Sequence, residues 1–87
     1  MWKFSKHALL RLEERGYTLE TILQILENDV FSIIVSSPRE ETVDLHFGKV
    51  ADAFLLVVVD RFSKTVITVR PMWRNEKKVF LEESENE

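Results

Sequence analysis

The spacing of apolar positions changes once along this chain, close to Asn28-Asp29. Before that point apolar residues recur three and four apart, as they do along one face of a helix. Ser5 stands as an N-cap, Phe4 and Leu9 are spaced as a hydrophobic staple, and Gly16 follows Arg15 as a left-handed stop. This predicts a helix over 6–15 with Ala8, Leu9 and Leu12 on its core stripe. The same grammar repeats with Thr18 as cap, Tyr17 and Ile22 as staple, and Leu19, Ile22, Leu23 and Leu26 at helical spacing, so a second helix is expected over 19–28. The three-residue link between them folds the pair into a helical hairpin. Beyond Asp29 the runs 30–36, 42–47, 53–60 and 64–70 are rich in β-branched and aromatic residues and are separated by turn material, which predicts four strands in an antiparallel meander. The third run is apolar on both alternate faces and belongs at the centre; the second sets Val43, Leu45 and Phe47 against Thr42, Asp44 and His46, so one of its faces is expected in solvent. Pro38 lies in the first turn and Pro71 ends the last strand. Trp73 to about Glu83 reads as a C-terminal helix burying Trp73, Phe80 and Leu81. The fold class is α+β, two N-terminal helices packed on an antiparallel sheet with a short C-terminal helix.

Composition narrows this to one domain. The chain has 87 residues, 45% of them hydrophobic, with six Phe and two Trp to fill one core. Residues 1–81 make that domain, and 82–87 read as an acidic flexible tail. The absence of Cys excludes disulfides, thiolate zinc sites and thiol catalysis. The N-terminus lacks the apolar core of a signal peptide and no apolar run reaches the ~20 residues that span a bilayer, so a cytoplasmic protein without a membrane partner is expected. Net charge is −3, but four of the 15 acidic residues stand in the tail. Between positions 64 and 78, Lys64, Arg70, Arg74, Lys77 and Lys78 face only Glu76, a local excess that attracts polyanions.

Two sets of residues carry candidate chemistry. His7, Arg11 and Arg15 fall within roughly 80° of arc at ~100° per residue and point together beside the core stripe of the first helix. A neutral imidazole accepts a proton, and guanidinium forks match phosphate oxygens, a combination suited to RNA cleavage in which a base takes the 2′-hydroxyl proton while cations stabilise the phosphorane. The plainer interpretation is a solvated helix face on which the arginines pair with Glu14 or other acidic neighbours. The second set is Arg70, assigned to one strand face with Val66 and Thr68, together with Trp73 and Arg74 just beyond Pro71. An Arg at a strand end beside an aromatic holds phosphate and stacks a base; the alternative makes Trp73 a core anchor and Lys77 and Lys78 a solvated helix face. Asp44, His46 and His7 lack a strict metal-ligand spacing, and a solvated strand face accounts for the first two; no metal or cofactor is expected.

The stretch from Phe4 to Thr18, with its His7-Ala8 pair, Arg11 four residues after the His, and Glu14-Arg15-Gly16, resembles the opening of a family of small bacterial proteins with a His-Ala…Arg…Glu-Arg-Gly helical motif. The close, Val66 to Arg70 followed by Trp73 to Glu76, is similar to the last strand and basic helix of BrnT-type toxins. Both belong with the RelE/ParE-like toxins of toxin–antitoxin systems. The resemblance implies a curved sheet of four to five strands, residues 2–4 adding an edge strand. It also implies a metal-independent endoribonuclease acting on mRNA, free or on the ribosome, restrained by a cognate antitoxin protein. On it, His7, Arg11 and Arg70 become catalytic, His7 as general base or acid and the two arginines as phosphate clamps. Arg15 and Arg74 then position RNA, and Trp73, Lys77 and Lys78 join them as RNA-binding candidates on the aromatic and basic pattern alone. Against it stands the acidic balance of the chain, since such toxins are usually basic. The competing expectation is a non-catalytic protein-interaction module on the same fold, and a ParE-like gyrase inhibitor is a third.

Overall fold

A computed structural model describes residues 1–86. The elements in order are β1 (Lys3–Phe4), α1 (Lys6–Arg15), α2 (Leu19–Leu26), β2 (Ser32–Ser36), β3 (Val43–Val50), β4 (Ala53–Asp60), β5 (Thr65–Pro71) and α3 (Arg74–Glu85). The strands form one sheet in the order β1-β5-β4-β3-β2, antiparallel throughout except that β1 runs parallel to β5. The fold is the expected α+β arrangement, and the all-apolar third run, β4, is the central strand.

The helix signals act where they stand in the chain. Ser5 accepts a hydrogen bond from the Ala8 amide and Gly16 ends α1 at φ 73°. Thr18 accepts from the Thr21 amide to start α2. That helix stops at Leu26, two residues short of the expected end, because Asn28 turns left-handed at φ 58°. α1 lies over β5 and α2 over β3. Ala8, Leu12, Ile22, Ile25 and Leu26 close one core against Leu55, Val57, Val59, Val66 and Val69. Leu9 stays 44% exposed, so the inward stripe of α1 is narrower than its spacing predicts. α2 comes so near the sheet that a Cβ on Gly48 would meet Ile25 at 2.8 Å; the glycine serves this close approach.

Two expectations about the strand faces are overturned. The polar side of β3 is not left open: His46 is 6% exposed, on the sheet face that the helical hairpin covers, with its ring edge-on to Trp2, while Asp44 is only partly exposed. Val66 and Arg70 do not share a face. A bulge between Val58 and Val59 leaves Ile67 without a partner in the ladder, so Val66 and Val69 both enter the helix-side core while Thr68 and Arg70 turn to the other side. α3 runs to Glu85, two residues beyond the expected end near Glu83, in keeping with the high helix propensity of its Glu-rich sequence.

The second face of the sheet is covered only in part. Phe80 of α3 is buried against Phe31 and Phe54, with ring centroids at 5.5 and 6.1 Å. Between α3 and the outer strands runs an apolar groove of about 230 Å³, lined by Ile33, Val35, Phe47 and Val79 and edged by Asn75 and Glu76. No helix among the described residues is long and apolar enough to cross a membrane.

Candidate nucleic-acid interface

The junction of β5 and α3 gathers the second set of candidates. Beyond Pro71 the chain buries Met72, whose amide donates to the Phe54 carbonyl, and then lifts Trp73 into solvent as the residue before the helix. Trp73 is extended, at φ −72° and ψ 165°, and 62% exposed. The sequence reading that places it among buried helix positions is therefore corrected: Trp73 and Phe80 are two helical turns apart in sequence, but Trp73 stands outside the helix, where the helical period does not apply.

Glu76 organises this corner. Its carboxylate accepts from the Trp73 amide at 2.8 Å and from both terminal nitrogens of Arg70 at 2.8 and 2.9 Å. Hydrogen bonding from Arg70 holds the Glu76 carboxyl below its ordinary range; burial opposes this, while the Trp73 amide reinforces it. Fixed by this fork, the Arg70 guanidinium lies over the Trp73 indole, 3.8 Å from the ring centroid. Phe54 alongside carries two ammonium groups, Lys77 at 4.4 Å and Lys49 at 5.1 Å from its centroid. Arg74 and Lys78 are exposed on α3 and share a stripe with Lys77 at the i, i+3, i+4 spacing. The resulting surface joins an exposed aromatic plane to several cations, the pairing that stacks a base and holds phosphate. Arg70 is already engaged by a carboxylate in the geometry a phosphate would use, so it backs the indole instead of presenting an open clamp.

The first set lies elsewhere. His7 and Arg15 are exposed on α1, and Arg11 pairs with Glu14 at 2.8 Å, as in the solvated-face interpretation. α1 packs on the face of β5 that carries Val66 and Val69, whereas Arg70 is on the opposite face with α3. The structure therefore does not gather His7, Arg11 and Arg70 around one reacting position.

Asp44 and His46 have structural surroundings. Arg61 grips Asp44 through two hydrogen bonds, at 2.9 and 3.1 Å, which lower the Asp44 carboxyl's pKa. Burial pushes the His46 pKa down, the Asp44 charge opposing it, and the ring's Nδ1 is enclosed without a hydrogen-bond partner. Among the described residues no three His, Asp or Glu side chains converge as a metal-ligand set.

Glu76, Phe54 and Lys49 escape a reading of the sequence. Glu76 carries a usable signal, since it stands three residues after the position before a helix, where a carboxylate reaches back to a free amide. Phe54 and Lys49 carry none, because their place depends on cross-strand register: they are paired residues on β4 and β3. Comparisons of the chain with protein-family models, with curated proteins and with solved structures give no match.

Proposed function

We propose that this chain is a toxin-like protein that acts on single-stranded RNA in the cytoplasm, engaging it through the surface at the start of α3 and cleaving it without a metal. The observation that carries the reading is the exposed indole of Trp73, backed by Arg70 and followed by the exposed Arg74, on the sheet face where Lys77 and Lys49 lie over the Phe54 ring. RNA outside a duplex offers unstacked bases to such a plane, and its phosphates to the neighbouring ammonium and guanidinium groups. Cleavage is assigned to His7 as proton acceptor or donor, with Arg15 near the phosphate; this part rests on the motif resemblance. In this reading a cognate antitoxin keeps the activity in check.

A second reading, a protein-interaction module without catalysis, is favoured by a different observation: Glu76 neutralises Arg70, and an apolar groove opens beside it. Induced expression of the wild type and of His7→Ala, with growth and total RNA followed in both cultures, separates the two. RNA fragmentation and growth arrest in the wild type alone support the nuclease. Intact RNA and normal growth in both leave the interaction module as the function.

A further inference from the structure

The two edges of the sheet are built differently. At one end β1 is only two residues long and includes Lys3, both common ways of making an edge a poor template for another strand. At the other end β2 is five residues, Ser32-Ile33-Ile34-Val35-Ser36, without a charge, Gly or Pro, and among the described residues its outer side pairs with nothing. Ile34 and Val35 are 51% and 45% exposed. The Ser37 amide donates to the Val43 carbonyl, which makes that position a hydrogen-bonded pair in the β2–β3 ladder. Because such pairs alternate, Val35 and Ile33 bond inward to β3, and the N–H and C=O groups of Ser32, Ile34 and Ser36 point to the open edge.

The sequence of this strand reads alike in both directions: Ser, apolar, Ile, apolar, Ser. We propose that β2 is the contact strand of a symmetric homodimer, pairing antiparallel with β2 of a second copy about a two-fold axis at Ile34. That register sets Ile34 opposite Ile34, Ile33 opposite Val35, and Ser32 opposite Ser36, and satisfies the outward groups of all three with about six hydrogen bonds. Every cross-strand pair then matches in polarity. The axis stands perpendicular to the sheet, giving one ten-stranded sheet with both α3 helices on one face. Ile33 and Val35, which line the apolar groove, gain their counterparts from the other copy as neighbours. This inference is independent of the RNA reading.

Sedimentation of the full chain over a concentration series tests it, together with Ile34→Lys, which sets two ammonium groups against each other at the axis on a side chain already half in solvent. The expected result is a concentration-dependent dimer in the wild type and a monomer for Ile34→Lys with unchanged circular dichroism. A wild type still monomeric at about 1 mM chain overturns the proposal, as does a dimer that persists in Ile34→Lys. Ile34→Cys gives a check that does not depend on disrupting anything: the chain has no other Cys, and paired strands bring the two Cα atoms to about 5.5 Å, within disulfide range. Mild oxidation is expected to yield a covalent dimer of Ile34→Cys but not of Phe62→Cys, whose position is exposed in the β4–β5 turn. Equal cross-linking of both variants, or of neither, refutes the two-fold at Ile34.

Discussion

The two faces of the sheet draw on the same strands yet end in opposite conditions. On one, α1 and α2 cover Leu55, Val57, Val59, Val66 and Val69 so completely that each of these residues is fully buried. On the other, α3 fixes one aromatic anchor, Phe80, and leaves a groove on one side and a cation-bearing aromatic surface on the other. The difference follows from number and attachment. Two capped helices joined by a short link bring two apolar stripes to one face, whereas a single helix of mostly charged residues has one narrow stripe to offer. The closed face holds the fold, and the open face leaves apolar and cationic surface in solvent.

The sharpest way to break this contrast is to cut into the closed face. Leu55→Ala removes a side chain with no exposure at the centre of the core and is expected to cost about 2–5 kcal/mol in urea unfolding. On the proposed RNA reading, binding of a single-stranded oligoribonucleotide by the molecules that remain folded should be unchanged. On the open face the balance reverses. Trp73→Ala is expected to weaken binding of a single-stranded oligoribonucleotide by about 1–3 kcal/mol, roughly 5- to 150-fold, in a fluorescence titration, while the unfolding midpoint stays near that of the wild type.

Two titrations distinguish the faces more finely. His46 is buried and its folded pKa is depressed, so its contribution to stability is present above the unfolded value of about 6.5 and is lost as pH falls through and below it. Unfolding midpoints should therefore decline from pH 7 toward pH 5, and His46→Phe should flatten that slope; an equal slope in both proteins would place the titration elsewhere. Glu76 on the open face is also depressed, but its window lies lower. The stability from its ion pair is present above about pH 4.3 and disappears as pH falls through the folded value. Glu76→Gln is expected to cost about 0.5–1.5 kcal/mol at pH 7. If Glu76 competes with phosphate for the guanidinium of Arg70, the same change tightens RNA binding, measured in the same titration.

Much of the closed face was legible in the chain. Ser5, Gly16 and Thr18 act on neighbours three or four residues away, so local grammar places α1 and the start of α2. The all-apolar run of β4 forecasts a strand covered on both sides. The rest was less legible on both faces, because it depends on contacts that join residues distant in sequence. The bulge in β5 reverses the side on which Val66 lies and cannot be seen in alternation alone. His46 alternates like a surface residue, yet alternation reports two faces without saying that both are covered.

What the sequence determined by itself is therefore local: the element types, the helix starts, the central strand and a basic excess around residues 64–78. These depend on capping, periodicity and composition, which act over a few bonds. Tertiary structure alone decided that His7 and Arg70 lie on opposite sides of the sheet, that Glu76 occupies the fork of Arg70, and that β2 is left as an open edge. Those facts depend on strand order and register, which are settled only when distant segments compete to bury the same apolar surface.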